Sequence, residues 1–194
     1  MSAAPNEALP DIREAERYLG YGKNQPGDDE RRMISECFSA VSAAVSYRCV
    51  YTMTDVSRPR DGVLDLGFGN IESASLYRHM SGCGRALLFA ATAGRGLDML
   101  ITSLSSVSPA KGVIADALGS SAVEKWCDLI EKRLLDGVPH VFRFSAGYGD
   151  FDISWQKNIL EYLSANIKAG IYTTDALMML PTKSVTAIVG IKTE

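Results

Sequence analysis

The chain has 194 residues, of which 46% are hydrophobic and 22% are charged, and its formal net charge is −3. This length and composition are typical of one packed globular domain. The small negative charge excludes a strongly basic surface, so neither nucleic acid nor an anionic membrane is expected as a partner.

The amino terminus and the cysteine pattern indicate a cytoplasmic protein without a metal site. Residues 1–10 have neither the charged nor the apolar region of a signal peptide, and we expect a flexible tail there, followed by a single domain over residues 11–194. Every apolar run is shorter than the roughly 18 residues that a membrane-spanning helix needs. The four cysteines form no C-x-x-C pair and lie at no zinc-ligand spacing from His79 or His140, so we expect reduced core cysteines.

The first half of the chain contains both helical and alternating apolar patterns. Apolar residues recur at helical spacing from Met33 to Val45, behind two candidate N-caps, Asp28 and Asp29. Ser73 is a candidate N-cap for a shorter helix. The predicted elements are helices over 12–21, 28–46 and 74–80 and strands over 49–56 and 64–68.

The second half predicts a buried strand, a long helix and further strands. Residues 85–92 are apolar on both faces, as expected of a central strand, and Pro109 suits the first position of a helix. The predicted elements are strands over 85–92, 141–144, 171–173 and 184–191 and helices over 94–107, 109–135 and 152–167. Because the strands follow no strict βαβ alternation, the predicted fold class is α+β with a mostly antiparallel sheet.

One stretch combines a fixed charge, two glycines, an aromatic hydroxyl and a carboxylate between a predicted strand and a predicted helix. Its sequence is Arg143-Phe144-Ser145-Ala146-Gly147-Tyr148-Gly149-Asp150. The two glycines permit positive φ and close approach of a ligand to the backbone. Asp150 or Asp152 can cap the helix that follows, and the guanidinium of Arg143 suits a carboxylate. An ordinary glycine turn with a surface arginine fits the same residues.

A second glycine-containing turn, Ala93-Gly94-Arg95-Gly96, follows the buried strand and opens a helix. A dinucleotide-binding turn would need a third glycine and an acidic residue after a second strand, and this chain has neither at the required distance. We therefore favour an ordinary strand-to-helix turn at this position.

The turn Arg143-x-x-x-Gly147-Tyr148 resembles the Arg-x-x-x-Gly-Tyr turn of the activation domain of vitamin B12-dependent methionine synthase, which binds S-adenosylmethionine (SAM). With Gly149-Asp150 and Gln156 included, the sequence resembles small stand-alone proteins similar to that domain even more closely. The resemblance extends over roughly residues 12–191 through three further motifs: Arg17-Tyr18-Leu19-Gly20-Tyr21, Ala91-Thr92-Ala93-Gly94 and Met179-Leu180-Pro181-x-x-Ser184-Val185-Thr186.

The resemblance implies a twisted, mostly antiparallel sheet flanked by helices, with SAM bound at the turn. Arg143 would bind the SAM carboxylate, and the turn backbone would line the adenosyl side. The strand after Pro181 would complete the pocket, although the family has aromatic residues where this chain has Val189 and Gly190. The implied SAM-binding residues are Arg143, Ser145, Ala146, Gly147, Tyr148, Gly149, Val189 and Gly190.

Tyr148 has two interpretations: its ring could simply cover the turn, or, as the resemblance implies, it is the candidate catalytic residue, facing a corrin ring brought by a partner. Its neutral hydroxyl could hydrogen-bond an axial water without adding charge. The family also holds the SAM amino group with an acidic residue near its amino terminus, for which Glu14 and Glu16 are candidates.

The resemblance implies an activation component that supports reductive remethylation of cobalamin in trans. SAM would be its own ligand, and cobalamin would come only through a partner: methionine synthase modules or another corrinoid protein, with an electron donor such as flavodoxin or ferredoxin. Tyr77 stands where a cobalamin-binding D-x-H-x-x-G motif around His79 needs aspartate, so we expect no cobalamin ligand in this chain. The alternative is a non-catalytic SAM-binding or scaffold protein that kept the fold.

Overall fold

The computed structural model describes residues 1–2 and 7–193, which form seven helices and seven strands. The helices are α1 (Ile12–Tyr18), α2 (Asp28–Ala44), α3 (Ala74–His79), α4 (Arg95–Val107), α5 (Pro109–Leu135), α6 (Trp155–Leu163) and α7 (Ala165–Lys168). The strands are β1 (Arg48–Asp55), β2 (Val63–Asp65), β3 (Asn70–Glu72), β4 (Cys83–Thr92), β5 (Tyr172–Thr173), β6 (Met179–Leu180) and β7 (Ser184–Lys192).

Two compact units share the chain, and each is built from three separate segments. The helical unit comprises Met1–Arg48, Thr92–Ile130 and Pro181–Ser184. The sheet unit comprises Cys49–Ala91, Glu131–Leu180 and Val185–Glu194. The predicted candidate turn lies wholly in the sheet unit.

Local signals in the sequence define the helices of the helical unit. The side chain of Asp11 caps α1 by accepting hydrogen bonds from the backbone N–H groups of Arg13 and Glu14, at 2.9 and 3.2 Å. Buried Trp126 on α5 packs on the ring of Tyr47 with 5.5 Å between centroids. The contact with Tyr47 holds α5 within the helical unit, and the observed bounds of α5 are those predicted from the sequence.

The predicted flexible tail covers residues 1–10. Residues 3–6 lie outside the described residues. Ala8 and Pro10 are buried, and the hydroxyl of Tyr47 donates a hydrogen bond to the carbonyl of Ala8. Residues 8–10 thus contact the rest of the helical unit, because the buried hydroxyl of Tyr47 needs a hydrogen-bond partner.

The main sheet has the strand order β1-β4-β7 and is antiparallel. The backbone N–H of Val56, directly after β1, donates to the carbonyl of Gly84 at the start of β4. A side chain at Gly84 would meet Thr193, directly after β7, so β4 and β7 also run in opposite directions. β4 is buried from Ala86 onward, as expected of a strand with neighbours on both sides.

Residues 140–144 lie along the outer edge of β7, but the predicted strand at 141–144 is wrong in detail. Among the described residues this segment forms two isolated antiparallel bridges with β7, between His140 and Ile191 and between Phe144 and Ile188. The segment advances four residues, from His140 to Phe144, while β7 advances only three, from Ile188 to Ile191. Such an extra residue is a β-bulge, which interrupts the ladder and bends the strand.

Three other predictions need correction. The predicted helix over 152–167 is split into α6 and α7 by Ser164, whose φ of 54° lies in the left-handed region. β2 ends at Asp65, because its carboxylate accepts a hydrogen bond from the N–H of Gly67 at 2.8 Å and turns the chain. β3 and β6 were not predicted, because segments of three and two residues are too short for a periodicity.

Gly190 on β7 lies directly against buried side chains of the sheet unit. A Cβ atom at this position would lie 2.7 Å from Sγ of Cys83 and 2.8 Å from Sδ of Met80. Both neighbours belong to the buried core of the sheet unit and have little room to move. Only glycine fits there without displacing core side chains.

We expect Gly190→Ala to lower the free energy of unfolding by about 1–3 kcal/mol, because it overpacks this part of the core. Denaturant-induced unfolding followed by circular dichroism measures the loss. Gly27→Ser is the matched control, since a Cβ at Gly27 makes an ordinary contact of 3.4 Å and serine is favoured at a helix N-cap. Equal stability of Gly190→Ala and the wild type would contradict the expectation.

Candidate functional site

The stretch from Arg143 to Asp150 is an ordered turn in the sheet unit. The backbone N–H of Gly147 donates to the carbonyl of Phe151 at 2.7 Å, and the N–H of Tyr148 donates to the carbonyl of Ser145 at 3.1 Å. Gly147 has a φ of 93° and Gly149 has a φ of 57°, both in the left-handed region. The predicted turn is thus confirmed, and the two glycines are required by its backbone.

The carboxylate of Asp150 fastens this turn to α3. Its Oδ1 accepts hydrogen bonds from the hydroxyl of Ser73 at 2.7 Å and the N–H of Ser75 at 2.9 Å, and its Oδ2 accepts one from the N–H of Ala74 at 2.8 Å. Asp150 therefore caps a helix 70 or more residues earlier, and the prediction that it could cap the following helix is wrong. These bonds, that from Ser73 foremost, hold the pKa of Asp150 far below its ordinary value of 3.8.

Two neighbouring residues complete this junction. Asp152 takes the local role, since its carboxylate accepts a hydrogen bond from the N–H of Ser154 at 2.8 Å ahead of α6. A Cβ atom at Gly149 would lie only 2.5 Å from Oγ of Ser75. The turn thus needs glycine at this position for space as well as for backbone conformation.

Aromatic rings line one side of the turn. The ring of Phe144 lies 4.9 Å from that of His79, 5.7 Å from that of Tyr148 and 6.3 Å from that of Phe151, measured between centroids. Tyr148 meets Phe144 edge-on, yet 56% of Tyr148 stays exposed. Tyr148 therefore covers the turn and also presents much of its side chain to solvent, so both sequence interpretations remain physically compatible.

Arg143 forms an ion pair within the sheet unit. Its Nη1 donates to Oε1 of Glu131 at 2.5 Å, and the two side chains are 23% and 13% exposed. Sequence reasoning missed Glu131, which lies in the last turns of α5, before Gly137 reverses the chain toward the bulge. A sequence signal for this pair was available: Glu131 lies near the end of the helix that leads into the segment of Arg143.

The remaining predicted site residues differ in their access to solvent. Gly147, Tyr148 and Gly149 are exposed. Ser145 is half-buried, and Ala146 is buried. Val189 and Gly190 are buried in β7, and the carbonyl of Gly190 accepts a hydrogen bond from the N–H of Val141 at 2.9 Å. The segment that leads into the turn is therefore hydrogen-bonded to the edge of β7. Of these predicted site residues, the glycines and the tyrosine of the turn are exposed to solvent and those of β7 are buried.

The other motifs have structural roles. Oγ1 of Thr92 accepts a hydrogen bond from the N–H of Gly94 at 3.0 Å, which gives an ordinary turn into α4. Glu14, a candidate for the SAM amino group, pairs with Arg17 one turn along α1. Nε2 of His79 donates to the carbonyl of Phe142 at 2.6 Å, because a carbonyl can only accept.

Neither a metal site nor a membrane-spanning helix is found in the part of the chain that the structure describes. No group of three or more histidine, cysteine or acidic side chains there is arranged to hold a metal ion. No described helix has the length and apolar character to cross a membrane. All four cysteines are buried thiols, as the sequence predicted.

Comparison with known proteins identifies the fold. No protein-family model matches the chain, and no curated protein sequence matches it. The fold is of the α+β class with an antiparallel sheet and helices, as predicted. It is similar to the fold in a crystal structure of the MetH reactivation domain bound to AdoHcy, with a TM-score of 0.70 and 14% sequence identity over 98% of this chain and 77% of that chain. The predicted resemblance to a methionine synthase activation domain is thereby confirmed at the level of the fold.

We expect Asp150→Asn to destabilise the chain at neutral pH but not in strong acid. The pKa of Asp150 is lowered in the folded state, so the ionised carboxylate stabilises that state above the ordinary value of 3.8. This contribution is lost as the pH falls below 3.8 toward the folded-state pKa. The variant should therefore melt below the wild type at pH ~7 and approach it at the acid limit.

Thermal unfolding followed by circular dichroism over this pH range tests the expectation. Asp61→Asn removes an exposed carboxylate of the same unit and is the matched control. A difference between Asp150→Asn and the wild type that stayed constant down to pH ~2 would show that the lost bonds do not depend on ionisation.

Proposed function

We propose that this chain binds SAM at the turn from Arg143 to Asp150 and serves as an activation component for a cobalamin-dependent methionine synthase or another corrinoid protein. One observation carries the proposal. The Arg-x-x-x-Gly-Tyr turn is held rigidly on the sheet unit of a chain whose fold is similar to that of an AdoHcy-bound reactivation domain. AdoHcy is what remains of SAM after its methyl group has been transferred, so the same pocket chemistry serves both.

The chain's own residues would bind and orient SAM. The guanidinium of Arg143 would hold the SAM carboxylate, because its planar donors match that group. The exposed backbone of Gly147 and Gly149 would line the adenosyl side. The half-buried and buried residues Ser145 and Ala146 would contribute through their backbone. Val189 and Gly190 on β7 would support this wall of the pocket from behind.

The partner would supply the demanding chemistry. A partner's cobalamin, reduced by an electron donor such as flavodoxin or ferredoxin, would accept the methyl group of SAM. The contribution of this chain is then positioning, which can lower a barrier by several kcal/mol when the reacting atoms are held in line. The exposed ring of Tyr148 is the group of this chain that would face the partner's corrin.

We expect Arg143→Ala to weaken SAM binding at least ~10-fold, because a hydrogen bond to a charged group commonly contributes ~1.5–3 kcal/mol. Isothermal titration calorimetry measures the affinity. Arg60→Ala is the matched control, since Arg60 also pairs with a carboxylate of the sheet unit, that of Glu72, but on the exposed surface. Tyr148→Phe should leave the affinity nearly unchanged, because its hydroxyl is assigned to the partner side. Equal affinities of Arg143→Ala and the wild type would refute the site.

We expect the isolated chain to retain no cobalamin. Both histidines are engaged by backbone carbonyls, His79 by that of Phe142 and His140 by that of Val138, each at 2.6 Å. Gel filtration of the chain mixed with free cobalamin should leave no corrin absorbance on the protein. Stoichiometric retention that disappears in His79→Ala would overturn action in trans.

The same preparation separates the proposed function from its alternative. Methionine synthase modules that lack an activation domain are supplied with SAM, an electron donor and this chain, and recovery of methionine synthase activity is measured. Stimulation supports the activation role. SAM binding without stimulation favours a scaffold protein that kept the fold.

A further inference from the structure

Arg143 and Glu131 place one positive and one negative charge side by side at the start of the candidate turn. The contact between Nη1 and Oε1 is 2.5 Å, and both side chains are largely shielded from solvent. Glu131 is held on α5, a helix of 27 residues, so its backbone position does not depend on the turn. Both side chains nevertheless keep some exposure to solvent.

This pairing constrains which ligands Arg143 can accept. A ligand carboxylate that binds the guanidinium also comes close to the carboxylate of Glu131, and two like charges at one partly shielded site repel each other. A ligand with an ammonium group next to its carboxylate removes this penalty, because the ammonium can bind Glu131. The pair therefore favours a zwitterion over a simple anion.

We propose, building on the SAM site proposed above, that Glu131 and Arg143 together form the receptor for the amino-acid end of the ligand. Arg143 binds the α-carboxylate, and Glu131 binds the α-ammonium group. Glu131 thus determines specificity for an α-amino acid. It takes the role for which the sequence offered only Glu14 and Glu16 on the helical unit.

A purely structural role of Glu131 predicts something different. If Glu131 only held the guanidinium of Arg143 in place, its removal would weaken every ligand that carries the carboxylate, with or without an amino group. If Glu131 binds the ammonium group, its removal weakens only ligands that have this group. It should also strengthen ligands that lack it, because the repulsion of their carboxylate disappears.

The test compares two ligands on the full chain by isothermal titration calorimetry. The ligands are S-adenosylhomocysteine and its analogue in which hydrogen replaces the α-amino group. Both ligands lack the positive sulfonium of SAM and differ only in the α-amino group. A change of protein charge therefore alters the binding of their shared part equally, and any difference in affinity reports on the amino group. On the wild type, the amino-bearing ligand should bind at least ~10-fold more tightly. In Glu131→Gln this ligand should lose at least ~10-fold, and the desamino analogue should bind equally or more tightly.

Three control variants sharpen the result. Glu161→Gln removes an exposed carboxylate of the sheet unit and should change neither affinity. Glu14→Gln and Glu16→Gln test the alternative acids and should preserve the preference for the amino-bearing ligand. Glu131→Asp keeps the charge on a shorter side chain, so it should retain part of that preference. Thermal unfolding of each variant verifies that it is folded.

The outcomes are distinguishable from those of the SAM site itself. Failure of the wild type to bind either S-adenosylhomocysteine or SAM would refute both proposals. If the wild type binds both ligands without preferring the one with the amino group, only the proposed role of Glu131 is refuted, and the SAM site is not. Equal loss of both ligands in Glu131→Gln would do the same and would leave Glu131 as a positioning residue for Arg143. If Glu131→Gln does not fold, the proposal remains testable, because the two ligands can still be compared on the wild type and on Glu131→Asp.

Discussion

The carboxylate of Asp150 is the interaction on which the candidate site depends. An isolated helix of six residues such as α3 is unstable in water, and a turn with two left-handed glycines loses much backbone entropy when it orders. Two of the three hydrogen bonds that Asp150 accepts satisfy otherwise unpaired N–H groups at the start of α3, and the third comes from the hydroxyl of Ser73; together they fix the turn at the same time. Each of the two weak elements is therefore stabilised by the other.

A second constraint comes from the edge of β7. The extra residue between His140 and Phe144 interrupts regular pairing, and Phe142 within it is 87% exposed while Phe144 returns to the sheet. The carbonyl of Phe142 is held by His79 at the end of α3, so one short helix contacts the segment before the turn at one end and the turn itself at the other. The bulge, α3 and Asp150 together fasten this irregular stretch to the sheet unit.

The sequence predicted what depends on neighbouring residues and missed what depends on distant ones. Pro109 marked the start of α5, Ser73 capped α3, and the two-faced apolar run of β4 indicated a central strand. The partner of Asp150 lies 77 residues away in sequence, and the register offset opposite β7 exists only when two segments meet. For the site, the Arg-Gly-Tyr pattern located the turn. Helical and strand periods describe only one element each, so they did not pair Arg143 with Glu131, even though Glu131 lies near the end of the helix that leads into the segment of Arg143.

The strand order β1-β4-β7 has a consequence for synthesis on the ribosome. β4 leaves the ribosome with β1 as its neighbour on one side only, and its apolar residues are covered in the finished sheet unit. Its other neighbour, β7, is translated about 90 residues later and also receives the segment 140–144, so no earlier part of the chain can close this sheet. A nascent chain of this protein therefore carries an unpaired apolar strand edge while the roughly 90 residues between β4 and β7 are translated, and such an edge favours aggregation until β7 pairs with it.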